Sequence, residues 1–228
     1  VFDLDGTLVD SYAAITESVN AARSALGFEP MEEAEVRRHV GRGLEHLMEE
    51  LVGPEHVEQG VRVFRERYAQ VYREGTRARP GAVMTLRELR RRGFRLAVAS
   101  NKPARFSELI LKDLGMLEHL ATVQGPDRAG STKPEPTMIR LCLEAMGVRP
   151  EEAAYVGDMT LDVETAAEAG VPVILVPGGS TPEAELRSTG HRILGSLRQL
   201  LLILPTRARS GPAPDPPRDS TASRPDPG

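Results

Sequence analysis

A single cysteine, Cys142, in 228 residues excludes a disulfide framework and a cysteine-based zinc site. Tryptophan is absent and aromatic residues make up 4% of the chain, so the core has to be built from aliphatic side chains. No apolar run approaches the ~18 residues that a membrane span needs. The longest candidate, Leu200 to Leu204, is far too short. The chain does not open on a basic stretch followed by an apolar one, so no secretory signal is read and a soluble, cytoplasmic protein is expected. Nor is there an excess of positive charge. A net charge of -4 and a pI near 5.8 exclude nucleic acid and anionic membrane as expected partners. Lysine is scarcest of the charged residues: Lys102, Lys112 and Lys133 stand against 26 arginines. In such a chain each lysine invites a question.

Val1-Phe2 runs directly into Asp3-Leu4-Asp5-Gly6-Thr7, which reads as the end of a buried strand and its exit loop. Two residues span about 7 Å, short against a usual strand, so a chain lacking the start of its first strand is expected. From Ser11 the pattern turns helical, with Ile15, Val19, Ala22 and Leu26 on one face and Gly27 as a stop. Further helical stretches are read over 32–40, 44–52 and 55–74, and Arg79-Pro80-Gly81 closes the block. Thereafter helices (82–92, 104–114, 136–146, 161–169) alternate with strands (94–99, 120–124, 153–156, 172–176), and a last short strand and helix fill 191–204. This predicts an α/β fold, a Rossmann-like parallel sheet with helices on both faces. The core takes residues 1–11 and 80–204, with an α-helical cap, 12–79, inserted after the first strand. Residues 205–228 hold seven of the 18 prolines and no large aliphatic residue, and read as a disordered tail.

Ligands of an open parallel sheet bind beyond the carboxyl ends of its strands. The exit loops there carry Asp3, Asp5, Gly6 and Thr7; Ser100, Asn101 and Lys102; and Gly157, Asp158 and Asp162, with Lys133 ahead of a helix. Like charges at ~4 Å repel by on the order of 4 kcal/mol at an effective dielectric of 20. Gathered carboxylates therefore call for a cation, and a hard divalent ion such as Mg²⁺ suits oxygen ligands and a phosphate. Lys133 adds a permanent positive charge, whereas Lys112 sits in a helical pattern and reads as a surface residue. Cys142 lies among Leu141, Leu143 and Met146 and reads as core. His39 and His46 make no ligand pattern. Gly178-Gly179-Ser180 reads either as a plain loop or as one touching the ligand.

Four motifs in order resemble those of the haloacid dehalogenase superfamily of phosphohydrolases. They are Asp3-Leu4-Asp5-Gly6-Thr7, Ser100 at a strand end, Lys133, and Gly157-Asp158-Met159-Thr160-Leu161-Asp162. Within that family, Val9-Asp10-Ser11, Asn101-Lys102-Pro103 and Gly41-Arg42-Gly43 most resemble phosphoglycolate phosphatases. The resemblance implies a Mg²⁺-dependent phosphatase that forms an aspartyl phosphate on Asp3. Asp5 then serves as acid and base, and its main-chain carbonyl as a metal donor. Ser100 and Lys133 hold the phosphoryl group, with Gly6 and Thr7 turning closely around it. Asp3, Asp158 and Asp162 complete the metal set, Asp158 as a direct ligand and Asp162 through water or by contacts behind the ligands. Asn101, Lys102 and Arg42 are candidate substrate contacts, Arg42 for a substrate carboxylate. The substrate is then a small phosphorylated metabolite. A phosphoglucomutase-like isomerase and a non-catalytic member share the core motifs and remain open. A helical cap suits either a monomeric lid or a homodimer surface.

Overall fold

The computed structural model describes residues 1–204, and the proline-rich segment 205–228 lies outside the described residues. After the opening loop, β1 (Val9–Asp10) leads into four helices, α1 (Tyr12–Ala25), α2 (Glu33–His39), α3 (Leu44–Val52) and α4 (Val57–Val71). The chain returns through β2 (Arg77–Ala78), antiparallel to β1, with Val9 opposite Ala78 and Asp10 opposite Arg77. Then follow α5 (Ala82–Arg91), β3 (Ala97–Ala99), α6 (Ala104–Asp113), β4 (Thr122–Gln124), α7 (Pro126–Ala129), α8 (Thr137–Met146), β5 (Tyr155–Gly157), α9 (Thr160–Ala169), β6 (Val173–Leu175), α10 (Glu183–Ser188), β7 (Arg192–Ile193) and α11 (Leu200–Ile203).

β3 pairs with β4, and β5 with β6 and β7, all in parallel. Phe2 joins the two groups, bridging Val98 on one side and Val156 on the other. The opening residues are thus the middle of a parallel sheet ordered β4, β3, Phe2, β5, β6, β7. Short as it is, this segment is bonded from both sides. Phe2 N–H donates to Ala97 O at 2.9 Å and Asp3 N–H to Val156 O at 2.8 Å, while Ala99 and Val156 donate to Phe2 O and Val1 O.

The two-residue period of a strand sends alternate side chains to opposite faces. Val98, Val156 and Ile174 join Phe2 and Leu4 in one core with Leu86, Leu89, Ile110 and Leu111. Ala97, Ala99, Tyr155, Val173 and Leu175 face the other side, against Met138, Ile139 and Ala166. Cys142 is buried in that second layer, its thiol on Val98 O at 3.3 Å. The helices between β1 and β2 enclose a third cluster of their own around Ile15, Val19, Met48, Leu51 and Phe64.

Differences from the sequence reading sit at element ends. β3 begins at Ala97 because the Phe94 N–H is spent on Leu89 O, finishing the exit from α5. The long helix read over 55–74 is a 3-10 turn, Pro54–His56, followed by α4. The β1–β2 ribbon, α7 and α10 had no expectation attached.

Candidate active site

Asp3 follows the central segment and is 4% exposed. One of its carboxylate oxygens accepts the Leu4 N–H at 2.7 Å, and the other meets Lys133 Nζ at 2.9 Å. Lys133 also holds Asp162 at 2.7 Å and lies 3.3 Å from the Tyr155 hydroxyl. Burial pushes the Asp3 carboxyl up to about 6; Lys133 pulls it back and Asp162 adds to the rise. For Lys133 burial works downward, but the two carboxylates outweigh it and hold the ammonium well above its ordinary value. Neither charge is sustainable there alone.

Asp158, at the end of β5, is fully buried, and burial first, then the charges of Asp162 and Asp3, raise its carboxyl well above the usual range. Thr7 Oγ1 donates to one of its oxygens at 2.7 Å and the Ser180 N–H to the other at 2.9 Å. The chain packs on this carboxylate where side chains are missing. Gly6, at φ +81°, would bring a Cβ to 2.5 Å of Asp158, and Gly179 to 1.8 Å. Gly179→Ala is therefore expected to dislodge Asp158. It should lower turnover of the reaction expected from sequence by more than about 10-fold, the scale on which loss of support behind a metal-binding side chain is felt. A steady-state assay checks this, and unchanged turnover would contradict it.

Asp162, one helical turn on, accepts the N–H groups of Asp158 and Met159 at 3.0 Å each besides its bond to Lys133. It sets the Asp158 loop and Lys133 in register. Asp5 lines the same cavity as Asp3. Its carboxylate takes the Ser11 hydroxyl and meets Lys102 Nζ at 2.9 Å. Burial works against the Lys102 charge, yet Asp5 and the face of Tyr68, 4.6 Å away, raise its pKa above the ordinary lysine value.

Asn101 does two things at once. Its amide nitrogen donates to Gly41 O at 2.8 Å, reaching across to the helical block, and its oxygen accepts the Lys133 N–H at 2.7 Å. A cavity opens between sheet edge and helices, lined on the core side by Asp3, Asp5, Ser100, Asn101, Lys102 and Lys133. Of the residues singled out from sequence, these six come together around one space, joined by Ser180 and by Gly41 and Gly43. Gly6 and Thr7 are placed behind it, on Asp158. Arg42 is exposed and outside the cavity lining, where Gly41 and Gly43 stand instead. Lys112 is exposed on α6.

Sequence reasoning missed the braces. Arg79 donates to Gly6 O and Pro177 O, both at 2.6 Å, tying the first loop to the one after β6. Arg37 of α2 covers the Tyr12 ring at 3.9 Å and reaches Gly178 O at 3.3 Å. The Tyr12 hydroxyl bonds Ser180 Oγ at 2.9 Å. Ser180 had been signalled by its place in the Gly178-Gly179-Ser180 loop. The arginines carried no signal, being two of 26.

The donor set fits a metal. Oxygens of Asp3, Asp158 and Asp162 lie within 4.8 Å of one another, all buried. Three carboxylates this close, with Lys133 on only two of them, leave Asp158 uncompensated without a further cation. Oxygen-only donors favour a hard ion. Asp5 stands apart from this group through its side chain, which is committed to Lys102 and Ser11.

Comparison with known proteins agrees with this architecture. The haloacid dehalogenase-like hydrolase family matches residues 1–176. A phosphoglycolate phosphatase of Aquifex aeolicus is 35% identical over 179 residues, 78% of this chain and 84% of the relative. One of Rhodospirillum rubrum is 34% identical over 194 residues, 80% of each. The crystal structure of CbbY from Rhodobacter sphaeroides in complex with phosphate superposes with a TM-score of 0.74 at 27% identity, covering 87% of this chain and 94% of that one.

Proposed function

This chain belongs to the haloacid dehalogenase-like hydrolase family, and we propose that it is a Mg²⁺-dependent phosphomonoester phosphatase acting on 2-phosphoglycolate. The observation that carries this reading is the buried Asp3 carboxylate, held by Lys133 and facing a cavity that Asp5 also lines. The substrate is inferred from the relatives, which are phosphoglycolate phosphatases.

Asp3 attacks phosphorus, and the P–O bond to the organic group breaks as the aspartyl phosphate forms. Asp5 gives its proton to the departing oxygen, then takes one from the water that cleaves the aspartyl phosphate. Lys102, paired with Asp5 and lining the same cavity, would receive the glycolate carboxylate. Lys133 and Ser100 stabilise the phosphoryl oxygens. Asp3 and Asp158, with the Asp5 main-chain carbonyl, would hold Mg²⁺, which supplies positive charge to the phosphoryl group and to the gathered carboxylates. Asp162 positions Asp158 and Lys133. The helices 12–71 act as a cap over the site, fastened by Asn101 on Gly41 and by Arg37 on Gly178.

Phosphate release from phosphoglycolate is the test. Mg²⁺ should support it, and excess EDTA should lower it by at least about 100-fold, restored on adding the metal back. Release unaffected by EDTA would remove the metal from the reading. Release from an aryl phosphate but not from phosphoglycolate would leave the chemistry and refute the substrate.

A further inference from the structure

We infer that the site also hydrolyses phosphomonoesters whose organic part is an apolar chain of several carbons, an activity that rests on the phosphatase reading above. The cavity has two ends of different chemistry. The charged groups gather on the sheet edge, at Asp3, Asp5, Lys102 and Lys133. The facing wall comes from the helical block and α6 and is hydrocarbon: Ile15, Val40, Leu44, Leu47, Phe64 and Phe106.

Phe64 lies flat on Tyr68 with ring centres 5.5 Å apart, and Tyr68 meets the edge of Phe106 at 5.4 Å. These rings stand in contact with one another, and the Lys102 ammonium sits over Tyr68. One cation of the helical block, Arg65, lines the cavity, and its charge is paired. Arg42 is exposed and outside the lining, and Arg65 is held by Glu45 at 2.9 Å with its side chain 57% exposed. Past the phosphate and the atoms beside Lys102, a ligand therefore meets a wall that is mostly hydrocarbon, with the Tyr68 hydroxyl and Arg65 its polar groups on the helical side. Hydroxyls placed against the aliphatic and phenyl side chains lose water without replacement, whereas methylenes gain from leaving it.

The experiment compares kcat/KM for methyl, ethyl, propyl and butyl phosphate with that for phosphoglycolate, using the full chain with Mg²⁺. Each added methylene should raise kcat/KM by about fourfold. Leu44 is only half-buried, so Leu44→Asn makes the wall polar at modest risk to the fold. That variant, shown folded by its thermal transition, should flatten the series, and Leu44→Met should keep it. Phosphoglycolate turnover with alkyl esters that show no rise with length would overturn the inference alone. Equal slopes in wild type and a folded Leu44→Asn would overturn the assignment to this wall. Absence of phosphate release from every ester would overturn the phosphatase reading and this inference with it.

Discussion

Asp3→Asn is expected to lower kcat for phosphate release by at least about 10⁴-fold, the scale seen when a covalent nucleophile is removed. The amide oxygen can still accept the Leu4 N–H, so the loop should keep its course. What disappears is the anionic oxygen that would bond to phosphorus. Loss of activity with loss of fold would be uninformative, but stability should move the other way. The Asp3 carboxyl is pushed to about 6, from 3.8, chiefly by burial. A carboxyl raised on folding binds its proton more tightly in the folded state. Metal-free wild type should therefore lose stability as pH rises from 3.8 through about 6, and Asp3→Asn should lack that segment of the curve. Denaturation in EDTA at pH 5 and pH 8 reads this directly. Equal phosphate release by wild type and Asp3→Asn would end the mechanism.

How much of this was legible depends on where the information lies in the chain. Asp3, Asp5 and their loop are contiguous, and the rule that ligands bind at strand carboxyl ends brings Ser100, Lys102 and Asp158 to the same rim. Apolar strands read over 94–99, 153–156 and 172–176, alternating with helices, likewise predict a sheet covered on both faces, which the two core layers display. Lys133 stood out by composition, as one of three lysines. Arg79 and Arg37 had no such contrast, and their partners lie 98 and 141 residues away. Such contacts exist only after the chain has folded. Asp162 illustrates a different limit. Its spacing from Asp158 was visible, but that its carboxylate is shared among Lys133 and two backbone N–H groups was not. Nor was it legible that so short a segment as Val1-Phe2 is paired on both sides, which is what anchors Asp3. The β1–β2 ribbon, two residues a side, carries too few side chains to show a period.

Lys133→Met should be the most damaging substitution for the fold itself. The ammonium is 1% exposed and bonded to two carboxylates that are 5% and 0% exposed. Removing the cation leaves both anions buried without their partner, a situation that costs about 3–5 kcal/mol. In a domain of this size each kcal/mol moves Tm by roughly 2–4 °C, so a fall of about 6–20 °C is expected in EDTA. The deficit should shrink as pH falls. Without Lys133 the Asp3 carboxyl loses the charge that holds it down, so it rises above about 6 and protonation relieves the repulsion. Lys133→Arg should not restore the protein, since a planar guanidinium cannot replace a compact ammonium in a sealed site. A Tm change below about 2 °C for Lys133→Met would show that the buried charges do not depend on it. Lys112→Met supplies the contrast. That lysine is exposed on α6, and its loss should change stability by no more than about 0.5 kcal/mol. Two lysines of equal formal charge would then differ about tenfold in effect, and the difference would come from burial between carboxylates alone.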